Sequence, residues 1–245
     1  IIRNYLEVFY LKKIDTEKVK QFYEEVNDVW QKDKWYTYSR KIIEKFILNQ
    51  NIPTNHYILN AGSGGSVYNL SNKMEHLDLA ENKINIFPNY TVGSIENTIY
   101  PDNSFDCVIC VGSVLNYTDA LASISEISRV LKRNGQLILE FESSWGFEHL
   151  KTKAYKKDAE ILDLKYYNSY HKQWVYSPSY IENILNSYGF KITMDKKFHI
   201  LSSLHFRFSQ NENKAAYFDK FDSLLEKIPY FKNHSDNLII SAIKL

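Results

Sequence analysis

Tyr57-Ile58-Leu59-Asn60-Ala61-Gly62-Ser63-Gly64-Gly65-Ser66 is the stretch on which the reading of this chain turns. A short apolar run breaks into three glycines and two serines within five positions. A buried strand of a parallel sheet reads this way when it ends in a tight turn. Glycine suits such a turn because it reaches positive φ freely and lets a ligand approach the backbone. Gly-Ser clusters also serve as plain loops, so the stretch needs support from residues further along the chain.

That support is Met74-Glu75-His76-Leu77-Asp78-Leu79, a second short strand ending in an acid 16 positions after Gly62. In a nucleotide-binding βαβ unit, an acid at this place hydrogen-bonds ribose hydroxyls. Next come Gly93-Ser94-Ile95-Glu96, Pro101-Asp102-Asn103-Ser104-Phe105-Asp106, the strand Cys107 to Val111, and Gly112-Ser113-Val114-Leu115-Asn116-Tyr117. In order and spacing, these segments resemble the successive motifs of class I S-adenosyl-L-methionine (SAM)-dependent methyltransferases of the small-molecule type. The resemblance spans roughly residues 55–200, and the Pro101 to Asp106 segment is its most specific part.

The resemblance implies an α/β fold: a doubly wound, mostly parallel seven-stranded sheet, Rossmann-like, with an antiparallel last strand and an N-terminal helical cover. It implies one domain over residues 1–245. Within it, 1–53 form the cover, 54–143 the SAM-binding core and 144–176 a substrate or lid insertion. Residues 177–245 complete the sheet and carry a helical insertion. The cofactor is then SAM. Asn60, Ala61, Gly62, Ser63 and Gly64 fall at its methionine end, Asp78 and Leu79 at the ribose, and Ser94, Ile95 and Glu96 at the adenine. Val111, Gly112 and Ser113 fall beside the methionine portion, and Tyr23 comes from the cover.

Two positions depart from the family pattern. Asn60 stands where an acid is usual, and Ser94 where an Asp commonly meets the adenine amino group. The third glycine of the usual turn is Ser66, with Gly65 one place earlier.

Composition narrows the function. Thirty basic and 29 acidic residues give a net charge of +1. No basic field exists to hold a phosphate backbone, so no nucleic-acid partner is expected. No apolar run approaches the ~18 residues that span a bilayer, so no membrane partner is expected either. Cys107 and Cys110 imitate a C-x-x-C motif, but inside a strand, where positions three apart point to opposite faces. Two buried free thiols fit a reducing compartment and a cytoplasmic location. The seven histidines show no clustered ligand spacing, and no metal site is expected.

Apolar residues at helical spacing predict helices over 16–30 and 36–49, which either cover the ligand or merely pack on the sheet. Only 13 residues separate Asn60 from Met74, near the minimum for a parallel crossover, so a helix there is short, about Val67 to Ser71. Strands are expected over Tyr90 to Gly93, Phe105 to Val111 and Gln136 to Glu142. Thr118 or Asp119 caps a helix over 118–132 that Asn134-Gly135 stops. Ser177, Pro178 and Gly189 frame another helix, with a strand from Phe190. Phe198 to Phe208 reads as an extended run, 217–228 as a helix stopped by Pro229, and Leu238 to Leu245 as the last strand.

The acceptor is expected to be a small molecule. Methyl transfer is an in-line displacement that needs proximity more than a dedicated catalytic group. Acceptor contacts are sought in residues 144–176, whose aromatics either line a pocket or pack ordinarily. Tyr166, Tyr167, Tyr170 and Trp174 belong there, with Tyr170, His149 and His171 as weak catalytic candidates. Tyr23, Trp30, Trp35 and Tyr36 are the candidates from the cover, and 202–230 is the remaining free segment. A SAM-binding protein without catalysis, or an enzyme acting on protein or RNA, is the alternative. A nicotinamide oxidoreductase would want a glycine at Val67 and leaves Phe105-Asp106 unexplained.

Overall fold

The computed structural model describes residues 14–26, 33–166 and 169–245. Trp30 and Tyr167 therefore lie outside the described residues. Helices α1 (Thr16–Glu25) and α2 (Lys34–Leu48) come first, and the side chains of Asp15 and Asp33 cap their starts. The sheet then begins with β1 (Ile58–Ala61) and β2 (Met74–Asp78), followed by a single turn, α3 (Glu81–Ile84). Next come β3 (Tyr90–Val92), β4 (Phe105–Cys110), α4 (Ala120–Val130) and β5 (Leu131–Glu142). A hairpin of β6 (Ala159–Tyr166) and β7 (Ser169–Tyr176) stands apart from the main sheet. Helix α5 (Pro178–Ser187), β8 (Phe190–Phe198), α6 (Leu201–Ser209), short helical turns and β9 (Asn237–Lys244) complete the chain.

The seven strands lie in the order β3-β2-β1-β4-β5-β9-β8. β9 runs antiparallel between β5 and β8, and the other pairs from β3 to β5 are parallel. The expected sheet, including its antiparallel last strand, is therefore present. Strand order reverses between β1 and β4, and ligands of open α/β sheets bind beyond the carboxyl ends at such a switch point. Gly62 follows β1 there, and Gly112 follows β4.

Local outcomes differ from expectation in four places. The crossover from β1 to β2 holds no helix; Tyr68 and Asn69 take left-handed conformations, which a helix excludes. β5 starts directly after α4, and the left-handed residue is Asn134 inside a bulged strand. Past Phe198 the chain is not extended: it turns at His199 (φ +55°) into α6, which leaves Phe208 exposed. Residues 217–228 form short turns rather than one helix, and Pro229 opens a turn instead of closing one.

Helix α2 packs on the sheet. Ile43, Phe46 and Ile47 of α2 pack with Ile58, Cys107, Ile109 and Ile138 on one face of the sheet. The other face packs Leu59, Val108 and Cys110 against Ile124, Ile127 and Ile184 of α4 and α5. Cys107 and Cys110 thus sit in different cores, both fully buried and free. Burial pushes both thiols up to about 12. Both should react with a thiol reagent far more slowly in the native protein than after denaturation. Fast native labelling, or a disulfide in an aerobic preparation, would contradict the assignment of β4.

Candidate active site

A cavity of about 750 Å³ opens over the carboxyl ends of β1, β2, β4 and β5. Its size is that of a small-molecule site. The glycine turn forms one wall. Gly62 has φ +65°, and a Cβ there would stand 2.2 Å from Val114 Cγ2; one at Gly65 would stand 2.8 Å from the Lys83 carbonyl oxygen. Both conditions select glycine.

Asp78 anchors this turn from the tip of β2. Its Oδ2 accepts from the Gly64 N–H at 2.8 Å, and its Oδ1 from the Ala80 N–H at 2.9 Å. Burial raises its pKa above the ordinary value, against those hydrogen bonds, which lower it. Gly62, Ser63, Gly64, Asp78 and Leu79 all line the cavity. Asn60 and Ala61 are buried and do not line it. The Asn60 amide donates to the Ser66 carbonyl at 2.7 Å, and its Oδ1 is buried without a hydrogen-bond partner.

On the far side of β2, Ser94, Ile95 and Glu96 line the cavity. The Ser94 hydroxyl donates to Glu96 Oε2 at 3.2 Å and accepts from the Glu96 N–H at 3.2 Å. Glu96 Oε1 accepts from the Asp119 N–H at 2.8 Å, which ties this loop to the start of α4. Val111, Gly112 and Ser113 line the cavity beside β1, and Tyr23 lines it from α1. The Tyr23 ring meets Tyr117 edge-on at 5.9 Å.

Sequence reasoning missed the acidic floor. Glu140 and Glu142, two apart on β5, both reach the cavity. Glu140 is buried; its Oε2 accepts from the N–H groups of Gly112 (2.9 Å) and Ser113 (2.7 Å), and its Oε1 from Asn237 (2.7 Å). Glu142 Oε1 accepts from the Ser113 hydroxyl at 2.8 Å, and its Oε2 from Gln173. Two acids two residues apart, directly after the apolar run Leu137–Leu139, were the available signal. Glu148 and Asp236 add to this floor, and burial raises Glu142, Glu148 and Asp236 above the usual carboxylate range.

All three segments outside the sheet reach the same space. The cover gives Trp35, Tyr36, Ser39 and Arg40, the insertion after β5 gives Glu148 and Gln173, and the C-terminal segment gives Phe206 and Glu212. The side chains of Tyr166 and Tyr167 lie outside the described residues, and the other expected aromatics of 144–176 are not among them. Tyr170 is 70% exposed, and Trp174 packs against Val19, Ile161 and Tyr176. His149 is buried just behind Glu148 and does not line the cavity. His171 pairs with Leu164 in the hairpin, its side chain lying outside the described residues.

Residues 54–139 match the sequence model of the methyltransferase domain family. An uncharacterised protein of Methanocaldococcus jannaschii is 28% identical over 198 residues, 76% of this chain and 78% of its own. Two solved structures share the fold at 11% identity. Geranyl diphosphate C-methyltransferase of Streptomyces coelicolor, in complex with Mg²⁺, geranyl diphosphate and S-adenosyl-L-homocysteine, has a TM-score of 0.63 over 94% of this chain and 98% of that one. 1,6-Didemethyltoxoflavin-N1-methyltransferase of Burkholderia thailandensis, with its substrate and S-adenosylhomocysteine bound, has 0.58 over 99% and 89%.

Glu140→Gln leaves one acceptor oxygen for three donors and turns an NH₂ toward one of them. It should cost about 1–3 kcal/mol, the scale of a buried donor left unmade. Denaturant unfolding of the two proteins would measure it, and equal midpoints would refute the account of this carboxylate.

Proposed function

We propose that this chain, which carries a class I SAM-dependent methyltransferase domain, moves the SAM methyl group to a small molecule held between the cavity floor and the cover. The observation that carries this reading is the single cavity: glycine turn and Asp78 at one end, side chains from three non-core segments at the other. In this reading residues 54–143 are the SAM-binding core, 1–53 its cover, 144–176 the acceptor-side insertion and 177–245 the rest of the sheet.

The residues present fit SAM on two counts. Gly64 lines the cavity at φ +50° with nothing within 4 Å of where a Cβ would stand, so its backbone is open to a ligand. Asp78 lines the cavity at the tip of β2, and its carboxylate, with about four acceptor directions, keeps capacity for a ribose hydroxyl beside the backbone N–H groups it already accepts from. Ser94 and Glu96 then meet the adenine, Val111 to Ser113 flank the methionine chain, and Tyr23 closes over it.

SAM supplies a methyl group on a sulfonium with a neutral thioether as leaving group. The acceptor's lone pair forms the new bond to that carbon as the S–C bond breaks. The protein's contribution is placement and exclusion of water by α1 and α2. A base is needed only for an acceptor that is protonated at working pH. The near-neutral charge supports an acceptor other than RNA. Two free buried thiols support a reducing compartment such as the cytoplasm. Among the described residues no helix is long and apolar enough to cross a membrane.

Calorimetry should show binding of SAM and S-adenosylhomocysteine and none of NAD; NAD binding without SAM binding would overturn the reading. Asp78→Ala should weaken SAM binding by about 1.5–3 kcal/mol, roughly ten- to a hundredfold. Unchanged affinity in the folded variant would remove Asp78 from the site. Label from methyl-labelled SAM should pass to the small-molecule filtrate of a cell extract, and Phe206→Ala should reduce that transfer while SAM affinity holds. Label found only in macromolecules would refute the small-molecule acceptor.

A further inference from the structure

Beyond Glu142, at and just behind the cavity floor, lie three groups that sequence spacing could not connect. Glu148 and His149 lie in a short turn after β5, and Asp236 immediately precedes β9. One ligand atom from each lies within 4.8 Å of the other two. His149 Nε2 is 3.4 Å from Glu148 Oε1 and 3.9 Å from Asp236 Oδ1. We propose that Glu148, His149 and Asp236 form a binding site for one divalent cation of the Zn²⁺ or Mn²⁺ class, with its open side toward the acceptor end of the cavity.

Four observations carry this assignment. His149 and Asp236 are each only 4% exposed, yet His149 Nε2 and Asp236 Oδ1 have no hydrogen-bond partner. Buried polar atoms left unmatched cost stability, and two of them aimed at one point are what a missing common partner leaves behind. The shortest separation, 3.4 Å between His149 Nε2 and Glu148 Oε1, is that of tetrahedral ligands about 2.0–2.1 Å from zinc, and Asp236 Oδ1 at 3.9 Å from His149 would close in by about half an ångström on binding. Charge leaves the same gap: Arg207 lowers the Glu148 pKa from a distance, but among the described residues no lysine or arginine forms an ion pair with Glu142, Glu148 or Asp236. Finally, Gly146 makes room for the ligand atom, because a Cβ there would stand 2.5 Å from Asp236 Oδ1.

One imidazole nitrogen and two carboxylates select a borderline divalent cation over Ca²⁺, which prefers oxygen alone. Glu148 and Asp236 line the cavity while His149 stands behind them. Free coordination positions therefore face the space left for the acceptor, and suit an oxygen-bearing molecule. That last role rests on the methyltransferase reading; the cation site itself does not.

The test is titration of the metal-free full chain with ZnCl₂ or MnCl₂ by calorimetry, alongside His149→Ala and Asp236→Asn. Saturable one-to-one binding is expected, weakened more than about tenfold in each variant. Absent binding, or binding unchanged by both substitutions, overturns the site. If a variant fails to fold, Mn²⁺ added to the wild-type protein decides: its paramagnetism should broaden the His149 ring signal, and broadening confined to other histidines overturns the proposal. SAM titrated into the same samples reports separately on the methyltransferase reading.

Discussion

A carboxylate sealed inside the sheet organises the ligand side of this fold. Glu140 leaves β5 near its carboxyl end and collects three donors from two other segments: two backbone N–H groups after β4 and the Asn237 amide of β9. Taking a charge out of water is costly, and burial pushes this acid up to about 7 while the donors pull it back. What the arrangement secures is Ser113, held at φ +60°, a conformation that disfavours a side chain. Its N–H is fixed by Glu140 and its hydroxyl by Glu142. Strain at the end of β4 is thus offset by charge in β5, and the turn at the topological switch point keeps one shape.

A second buried cluster connects the cover to the C-terminal segment. The Trp35 ring of α2 stacks on His199 with centroids 3.7 Å apart. His199 Nε2 shares a hydrogen bond with Ser39 at 2.7 Å, and its Nδ1 one with Asp219 at 2.8 Å. Asp222 accepts from the N–H groups of His199 and Ile200 and from the Tyr38 hydroxyl. Segments far apart in the chain are therefore bound through polar groups that pair with one another, with Asp219 Oδ2 left over as a buried acceptor without a partner. Because Trp35 and Ser39 also face the cavity, the position of α2 and the shape of the cavity are set together.

These two clusters explain what the sequence could reveal. One side of the cavity comes from strand ends, each marked by a local break: Gly62 after β1, Asp78 at the tip of β2, Gly112 after β4. Local steric demands write such positions into short motifs. The other side has no local grammar. Gln173 turns inward from a hairpin whose exposed Tyr170 is the better candidate by sequence, and Phe206 comes from a helix that reads in sequence as extended chain. Glu148 and Asp236 meet only because β9 inserts beside β5, a long-range pairing that no spacing rule anticipates. The crossover after Gly65 departs from expectation for the opposite reason: its residues tolerate a helix, but the left-handed Tyr68 and Asn69 take the chain another way.

The charge distribution along the cavity narrows what can sit in it. At the nucleotide end, Asp78 and Glu96 already accept backbone hydrogen bonds, so their charge is partly neutralised by fixed dipoles. At the other end Glu142, Glu148 and Asp236 crowd together in low dielectric, where like charges repel strongly and each carboxyl tends to keep its proton. An anionic acceptor placed directly against that floor would be repelled by whichever of these carboxyls has lost its proton. A cation lodged between Glu148, His149 and Asp236 reverses the sign of the local field and turns the same floor into a seat for an electron-rich oxygen. The acidity of this end and the unmatched atoms within it are therefore two expressions of a single electrostatic demand.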